Sequence, residues 1–187
     1  MRYKLFRIAV VMLGPTMTCL AAGALAGTIA AASMERDQAP PVAGLLAAIP
    51  VSERIVFNAT RPVRNRIVVF TDIECPYCRK FHQQLGQYLQ AGIEVQYVFY
   101  PRAGRDSPAF AKAVAVWCAA DRQAALARAF DDRTFVTRTC ENPVAAHYEL
   151  AVRLGLLGTP ALITEDGEVM YGALSVSRLL ERLTASR

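Results

Sequence analysis

Two cysteines three apart, Cys75 and Cys78, sit with Pro76 and Tyr77 between them in the stretch FTDIECPYCRKFH, residues 70–82. That spacing serves three ends: thiol-disulfide exchange, half of a metal site, or two thiols that are merely buried. Exchange needs a thiolate, and a cysteine at its ordinary pKa of about 8.5 supplies only a few per cent of it near neutral pH. A helix N-terminus changes this, because its unpaired N–H groups and positive dipole end favour the anion, lowering C-x-x-C values to roughly 3.5–7.5. The residues after Cys75 read as such a helix: Cys78, Phe81, Leu85 and Tyr88 or Leu89 recur at three and four, and Gly92 ends the segment. Cys75 falls at the N-cap and Pro76 at the first helical position, where its missing N–H costs nothing. Cys75 is therefore the candidate nucleophile. Cys78, one turn further in and better shielded, is the candidate resolving thiol, and Tyr77 offers an apolar contact to a substrate.

The metal reading lacks half its ligands. Zinc sites built on C-x-x-C want a second such pair or histidines, whereas Cys118 and Cys140 are isolated, His82 lies on the same helix as Cys78, and His147 on another element. His82 is expected on the helix surface, with tuning of the Cys75 thiolate as the alternative; His147 is expected to be structural. Setting aside Cys19 in the N-terminal segment, four cysteines remain. Four permit three pairings, and the C-x-x-C spacing favours 75–78 with 118–140. A Cys118–Cys140 bridge is read as structural, since neither residue has a helix N-terminal C-x-x-C context; a second redox pair is the alternative. Thr159-Pro160 follows a glycine and precedes a strand. This suits a cis-proline loop that leaves backbone groups free for an extended substrate segment, and equally an ordinary turn.

The elements around these residues order as β, β, α, β, a helical block, α, a β-hairpin and α. Residues 52–58 and 66–71 are β-branched and aromatic runs, the second almost continuously apolar as in a strand buried on both faces. Residues 94–100 alternate like a strand. Ser107-Pro108, Asp121 and Asn142-Pro143 open helices, Gly155 terminates the last of these, and Asp166-Gly167 turns a hairpin. Ser175 caps a final amphipathic helix. This is an α/β arrangement of thioredoxin type, a catalytic domain over residues 53–187 with a helical insertion at about 106–155.

The N-terminus is read separately. Arg2, Lys4 and Arg7 precede a charge-free run over residues 8–32, the outline of an export signal, with small-residue cleavage sites near 26 or 33. Residues 1–33 are thus expected to be a signal peptide, with an uncleaved membrane anchor as the alternative. Residues 34–52, holding Pro40, Pro41 and Pro50, read as a linker with at most a short helical turn. Removing residues 1–26 leaves 18 basic against 16 acidic groups, so the formal charge of +5 falls to +2 and nothing points to a nucleic-acid partner.

Together, FTDIECPYCRKFH, AVWCAADRQAAL, the Cys140 spacing and VAAHYELAVRLGLLGTPALI resemble the DsbC/DsbG family of bacterial periplasmic disulfide isomerases, over about residues 52–187. The resemblance implies a thioredoxin fold with a helical insertion, a redox-active Cys75–Cys78 pair, a structural Cys118–Cys140 disulfide and a cis-Pro160 preceded by Thr159. It also implies a periplasmic enzyme with no cofactor, disulfide-containing exported proteins as clients, and a DsbD-like membrane thiol reductant as electron donor. One departure is expected to matter: family members carry an N-terminal dimerisation domain, for which only about residues 34–52 are available here. A monomer is therefore expected. Two further readings follow, a monomeric thiol oxidase or client-specific disulfide protein of a conjugative or secretion system, and a non-enzymatic metal- or client-binding module.

Overall fold

In the computed structural model, β2 (Asn65–Thr71) forms the centre of a five-stranded sheet, paired in parallel with β3 (Ile93–Phe99) and antiparallel with β4 (Ala161–Thr164). The outer strands are β1 (Ile55–Phe57), antiparallel to β3, and β5 (Val169–Tyr171), antiparallel to β4. The structure describes residues 42–131 and 136–185. The expected export signal or anchor, its cleavage sites and the first part of the expected linker lie outside these residues.

Strand alternation divides the core between two faces. Ile67 and Val69 of β2, with Val95, Tyr97 and Phe99 of β3, face one layer; Val68, Phe70, Val98 and Ile163 face the other. The first layer holds α2 (Pro76–Gln83), α3 (Leu85–Gln90), α4 (Pro108–Trp117), α5 (Arg122–Phe130) and α7 (Val176–Ala185). The second holds α1 (Val42–Leu46) and Leu150 and Ala151 of α6 (Val144–Arg153), whose first residue, Val144, joins the first layer. Burial on both faces explains the unbroken apolar run of β2. Ser107 and Asp121 cap α4 and α5 through their side chains, accepting from Phe110 N at 3.2 Å and Ala124 N at 2.9 Å.

Three expectations need correction. The helix expected from Cys75 to Gly92 is two helices, broken at Gln84 (φ −91°, ψ 0°). The break lets Leu85 and Tyr88 turn into the core, and the Tyr88 hydroxyl donates to the Leu174 carbonyl ahead of α7. The expected first strand begins three residues late, because Val51–Glu53 wind into a 3-10 turn. Finally, residues 42–52 are not a free linker: Leu46 and Ile49 are buried, and the Arg54 guanidinium donates to the Leu46 and Ile49 carbonyls at 2.9 and 2.5 Å and to Gln96 Oε1 at 2.7 Å. The Arg54 bonds add to the Ile49 N–H on the Leu46 carbonyl and reach the Ile49 carbonyl just beyond α1, fastening this segment to the sheet through Gln96. Gly167 completes the seat: its φ of +91° suits the hairpin turn, and a Cβ there would come 3.1 Å from Ala43 N.

Candidate functional site

The apolar run of β2 delivers the chain to a tight loop, and the loop delivers Cys75 to the N-cap of α2 with Pro76 at the first helical position. Cys75 has extended backbone angles (φ −81°, ψ 120°), and its N–H donates to the Asp72 carbonyl at 3.1 Å. Both cysteines are free thiols and buried. Across from them, the Thr159–Pro160 peptide bond is cis, and Cys75 Sγ lies 3.2 Å from the Thr159 carbonyl oxygen. Two segments 84 residues apart thus meet at one sulfur.

The thiols are strongly unequal. Cys75 is pulled down to about 5, first by the hydrogen bond from the Cys78 thiol, then by Thr159 and by the backbone N–H groups of Cys78 and Tyr77, against the opposing effect of burial. Cys78 is pushed far up by burial and by holding the proton it shares with Cys75; the Asp72 N–H, 3.4 Å from its sulfur, and Thr71 and Thr159 offset this in part. At pH 7 a value near 5 means on the order of a hundred thiolates per thiol at Cys75. The arrangement presents one nucleophilic sulfur with a protonated neighbour behind it.

Thr71 and Thr159 have buried hydroxyls that meet no oxygen or nitrogen partner, only the cysteine sulfurs they act on. An orphan buried hydroxyl costs stability, so each calls for an explanation. Both belong to the residues that ease charge onto the cysteines.

Tyr77 is 62% exposed, beside the pair, and the loop before Thr159 carries Leu157 at 90% exposure, its N–H donating to the Tyr171 hydroxyl at 3.2 Å. Sequence reading did not single out Leu157, because its apolar neighbours made it look like core. It also passed over Asp72 and Arg102, which join beneath the pair. An aspartate at the end of an apolar strand, three before a cysteine, was the available signal for Asp72. Arg102 had none, being thirty residues away.

The histidines lie apart from the thiols. His82 is not a helix-surface residue: its ring packs against Phe57, Tyr97 and Phe130 at 5.7, 5.6 and 5.0 Å between centroids, and Nδ1 is 3.1 Å from the Tyr97 hydroxyl. Burial lowers it to about 4, with Asp131 acting in the other direction. His147 is fully buried, its Nδ1 accepting from Phe99 N at 3.4 Å and its ring against the Trp117 edge, and burial lowers it also to about 4. Cys118 and Cys140 are joined by a disulfide, their Cα atoms 5.7 Å apart. It ties the C-cap of α4 to the exposed segment ahead of α6.

A parallel β2–β3 pair, an antiparallel β4–β5 hairpin, a dithiol at a helix cap and a cis-proline opposite it define a domain of the thioredoxin class. The thioredoxin-like domain family matches residues 58–186, and the chain belongs to it. The DsbC resemblance is borne out among curated proteins. The thiol:disulfide interchange protein DsbC of Dickeya dadantii (strain 3937) is 38% identical over 135 residues, covering 72% of this chain and 56% of that protein. DsbC of Escherichia coli (strain K12) is 40% identical over 124 residues, covering 64% and 50%. The chain thus spans about half the length of the curated relatives it matches. Among solved structures, a disulfide interchange protein from Neisseria gonorrhoeae superposes with a TM-score of 0.63 at 26% identity, over 73% of this chain and 96% of that one. A periplasmic thioredoxin-like protein from Salmonella enterica serovar Typhimurium shares the fold, with a TM-score of 0.58 at 20% identity over 76% and 94%.

Proposed function

We propose that the protein is a thiol-disulfide oxidoreductase of the isomerase or reductase type, acting on disulfides of exported proteins in the periplasm, to which residues 1–33 direct it. The observation that carries this reading is the unequal thiol pair at the α2 cap, Cys75 held near 5 and Cys78 protonated, facing Thr159–Pro160. The Cys75 thiolate attacks one sulfur of a client disulfide. A Cys75–client bond forms, the client S–S bond breaks, and the second client sulfur leaves as a thiolate that takes a proton from water. Two exits follow. A client thiolate attacks the mixed disulfide, giving a rearranged client and regenerating the Cys75 thiolate with no net electron transfer. Alternatively Cys78, on losing its proton, attacks Cys75 Sγ, so that the client leaves reduced by two electrons and the pair is oxidised. Turnover by the second exit needs an external dithiol, for which a DsbD-like membrane reductant is the proposed partner. The backbone beside Pro160, with Tyr77, is the proposed seat for the client segment.

The depressed Cys75 value also favours a second direction. A stabilised thiolate makes the reduced form of a pair more stable and the pair more oxidising, as in DsbA-type proteins, so net oxidation of client thiols is the alternative. The two are separated by refolding a client with scrambled disulfides, alongside oxidation of a fully reduced client and reduction of a simple protein disulfide. Faster recovery of the scrambled client supports isomerisation. Rapid oxidation without unscrambling supports the alternative, and no exchange in any of the three assays removes the enzymatic reading.

A further inference from the structure

Asp72 lies 3% exposed between β2 and the α2 cap, and the site engages all of its polar groups. Its carbonyl accepts from Cys75 N at 3.1 Å and its N–H donates to Cys78 Sγ at 3.4 Å. Oδ1 accepts from Glu74 N at 2.9 Å, while Oδ2 accepts from Arg102 twice, from its backbone N at 3.0 Å and its Nε at 3.1 Å. A buried carboxylate this near a thiolate disfavours it, since like charges in one loop raise each other's proton affinity. The Arg102 guanidinium offsets the carboxylate charge. We propose that Arg102, oriented by Asp72, is a positioning residue for the thiol pair, its cation favouring the Cys75 thiolate and hence the reduced form. This rests on the thiol-disulfide reading above.

On the elements about Cys75, the charged and titratable groups are Asp72 and Glu74 in its own loop, Tyr77, Cys78, Arg79, Lys80 and His82 on α2, Arg102 after β3, Lys112 on α4 and Tyr171 on β5. Among the cations on these elements, Arg102 is the one seen bonded to the Asp72 carboxylate. Glu74 and Lys112 are paired with each other at 2.9 Å. Arg102 is held above its ordinary value: burial acts against it, but the Asp72 hydrogen bond and the negative charges of Cys75 and Asp72 outweigh this. When Cys75 attacks a client disulfide, its charge passes to the leaving client sulfur and the attraction to Arg102 is lost. In reverse, when Cys75 leaves as the thiolate, the attraction is regained. Arg102 thereby makes Cys75 a better leaving group and the pair more oxidising.

The test reads the Cys75 titration through thiolate absorbance, and the reduction potential against glutathione, in four proteins. In Arg102→Gln the thiolate-to-thiol ratio at a given pH falls about tenfold, and the potential drops by about 30 mV, the two-electron equivalent of that factor. Asp72→Asn moves both readings the opposite way, because it removes the anion and frees the cation. Arg102→Lys keeps the charge and stays close to the parent. A purely structural role would loosen the loop in both Arg102→Gln and Asp72→Asn and move both upward, toward an ordinary thiol. That result, or an unchanged titration in Arg102→Gln, overturns the proposal. Two ties of the loop use the Asp72 N–H and carbonyl, which every variant retains; Asp72→Asn gives up either the bond from Arg102 N or that from Glu74 N, and Arg102→Gln keeps both. The parent supplies an independent reading: Arg102 is 45% exposed, so high salt screens it and raises the Cys75 value, and a salt-independent value also overturns the proposal. A parent without exchange activity instead sinks the functional reading, which the titration does not depend on.

Discussion

Cys75 stands at the N-cap of α2, where unpaired N–H groups favour an anion, while Cys118 stands at the C-cap of α4, where the dipole and unpaired carbonyls disfavour one. Cys78, partner of the first, is buried three residues away; Cys140, partner of the second, is exposed and 22 residues away. The first pair is reduced and the second oxidised. Residue type is the same in all four positions. What separates a depressed thiol from a closed bridge here is which end of a helix holds it and whether a hydrogen-bonded neighbour can keep the proton.

The largest effect that breaks the comparison is loss of one thiol from each pair. Cys75→Ser is expected to abolish exchange with a client disulfide, measured as turnover of a fluorescent mixed disulfide. Cys78→Ser is expected to retain the first attack and to accumulate covalent client adducts on non-reducing gels. Residual turnover in the first variant would move the nucleophile elsewhere. In contrast, the double variant Cys118→Ala with Cys140→Ala is expected to keep the Cys75 titration and to lose stability. A bridge closing a loop of this length contributes about 3 kcal/mol in the chain-entropy account, read as a lower urea midpoint with a somewhat steeper slope, because the unlinked unfolded chain exposes more surface. A shifted Cys75 titration there would show that the bridge also shapes the redox loop.

A smaller effect appears with pH. Cys75 in the folded, reduced protein titrates near 5, against 9.0 for an ordinary thiol. Between these values the unfolded chain keeps a proton that the folded one has lost, so the stability of the reduced form rises with pH. The contribution is fully present above about pH 9 and is gone once pH falls through 5. His82 and His147, both lowered to about 4, make acid unfavourable too, between about 6.5 and 4, but they do so in either redox state. Cys78, raised above its ordinary value, acts in the opposite sense but only as pH approaches 9 and beyond, so up to pH 8 the difference between reduced and oxidised proteins reports chiefly Cys75. Denaturant midpoints of both forms at pH 5, 6, 7 and 8 are expected to diverge steadily in favour of the reduced form, and parallel curves would contradict the assigned thiolate.

Local signals made much of this legible in the sequence. The cap at Cys75-Pro76, the Ser107 and Asp121 caps and the Asp166-Gly167 turn each depend on residues within one turn of the chain, and each appears where local chemistry put it. Features requiring two distant segments were not legible. The break at Gln84 serves a Tyr88 contact 86 residues along, and the burial of His82 depends on Phe57 and Phe130 closing over it. Likewise the docking of α1 uses Arg54 and Gln96, polar residues that a hydrophobicity pattern counts as surface.

The smallest effect sharpens the contrast between the pairs, because it asks what the reactive pair costs the fold. Thr71 ends β2 on the face toward α2, fully buried, with a hydroxyl that meets no oxygen or nitrogen partner and whose action is on the Cys78 sulfur. Such a group costs about 1–3 kcal/mol, and no comparable orphan is seen at the Cys118–Cys140 bridge among the described residues. Its use is at Cys78, whose charged form it helps when that sulfur must lose its proton to resolve a mixed disulfide. Thr71→Val keeps the shape and removes the hydroxyl. The oxidised protein, which has no thiolate to accommodate, is expected to gain about 1 kcal/mol in urea denaturation. Resolution of the mixed disulfide is expected to slow several-fold, read as a longer-lived client adduct after rapid mixing, with the initial attack by Cys75 little changed. If the variant were more stable and resolved at the parent rate, the orphan hydroxyl would be a packing defect. Slower resolution with added stability would mean that the fold gives up stability at Thr71 so that Cys78 can ionise.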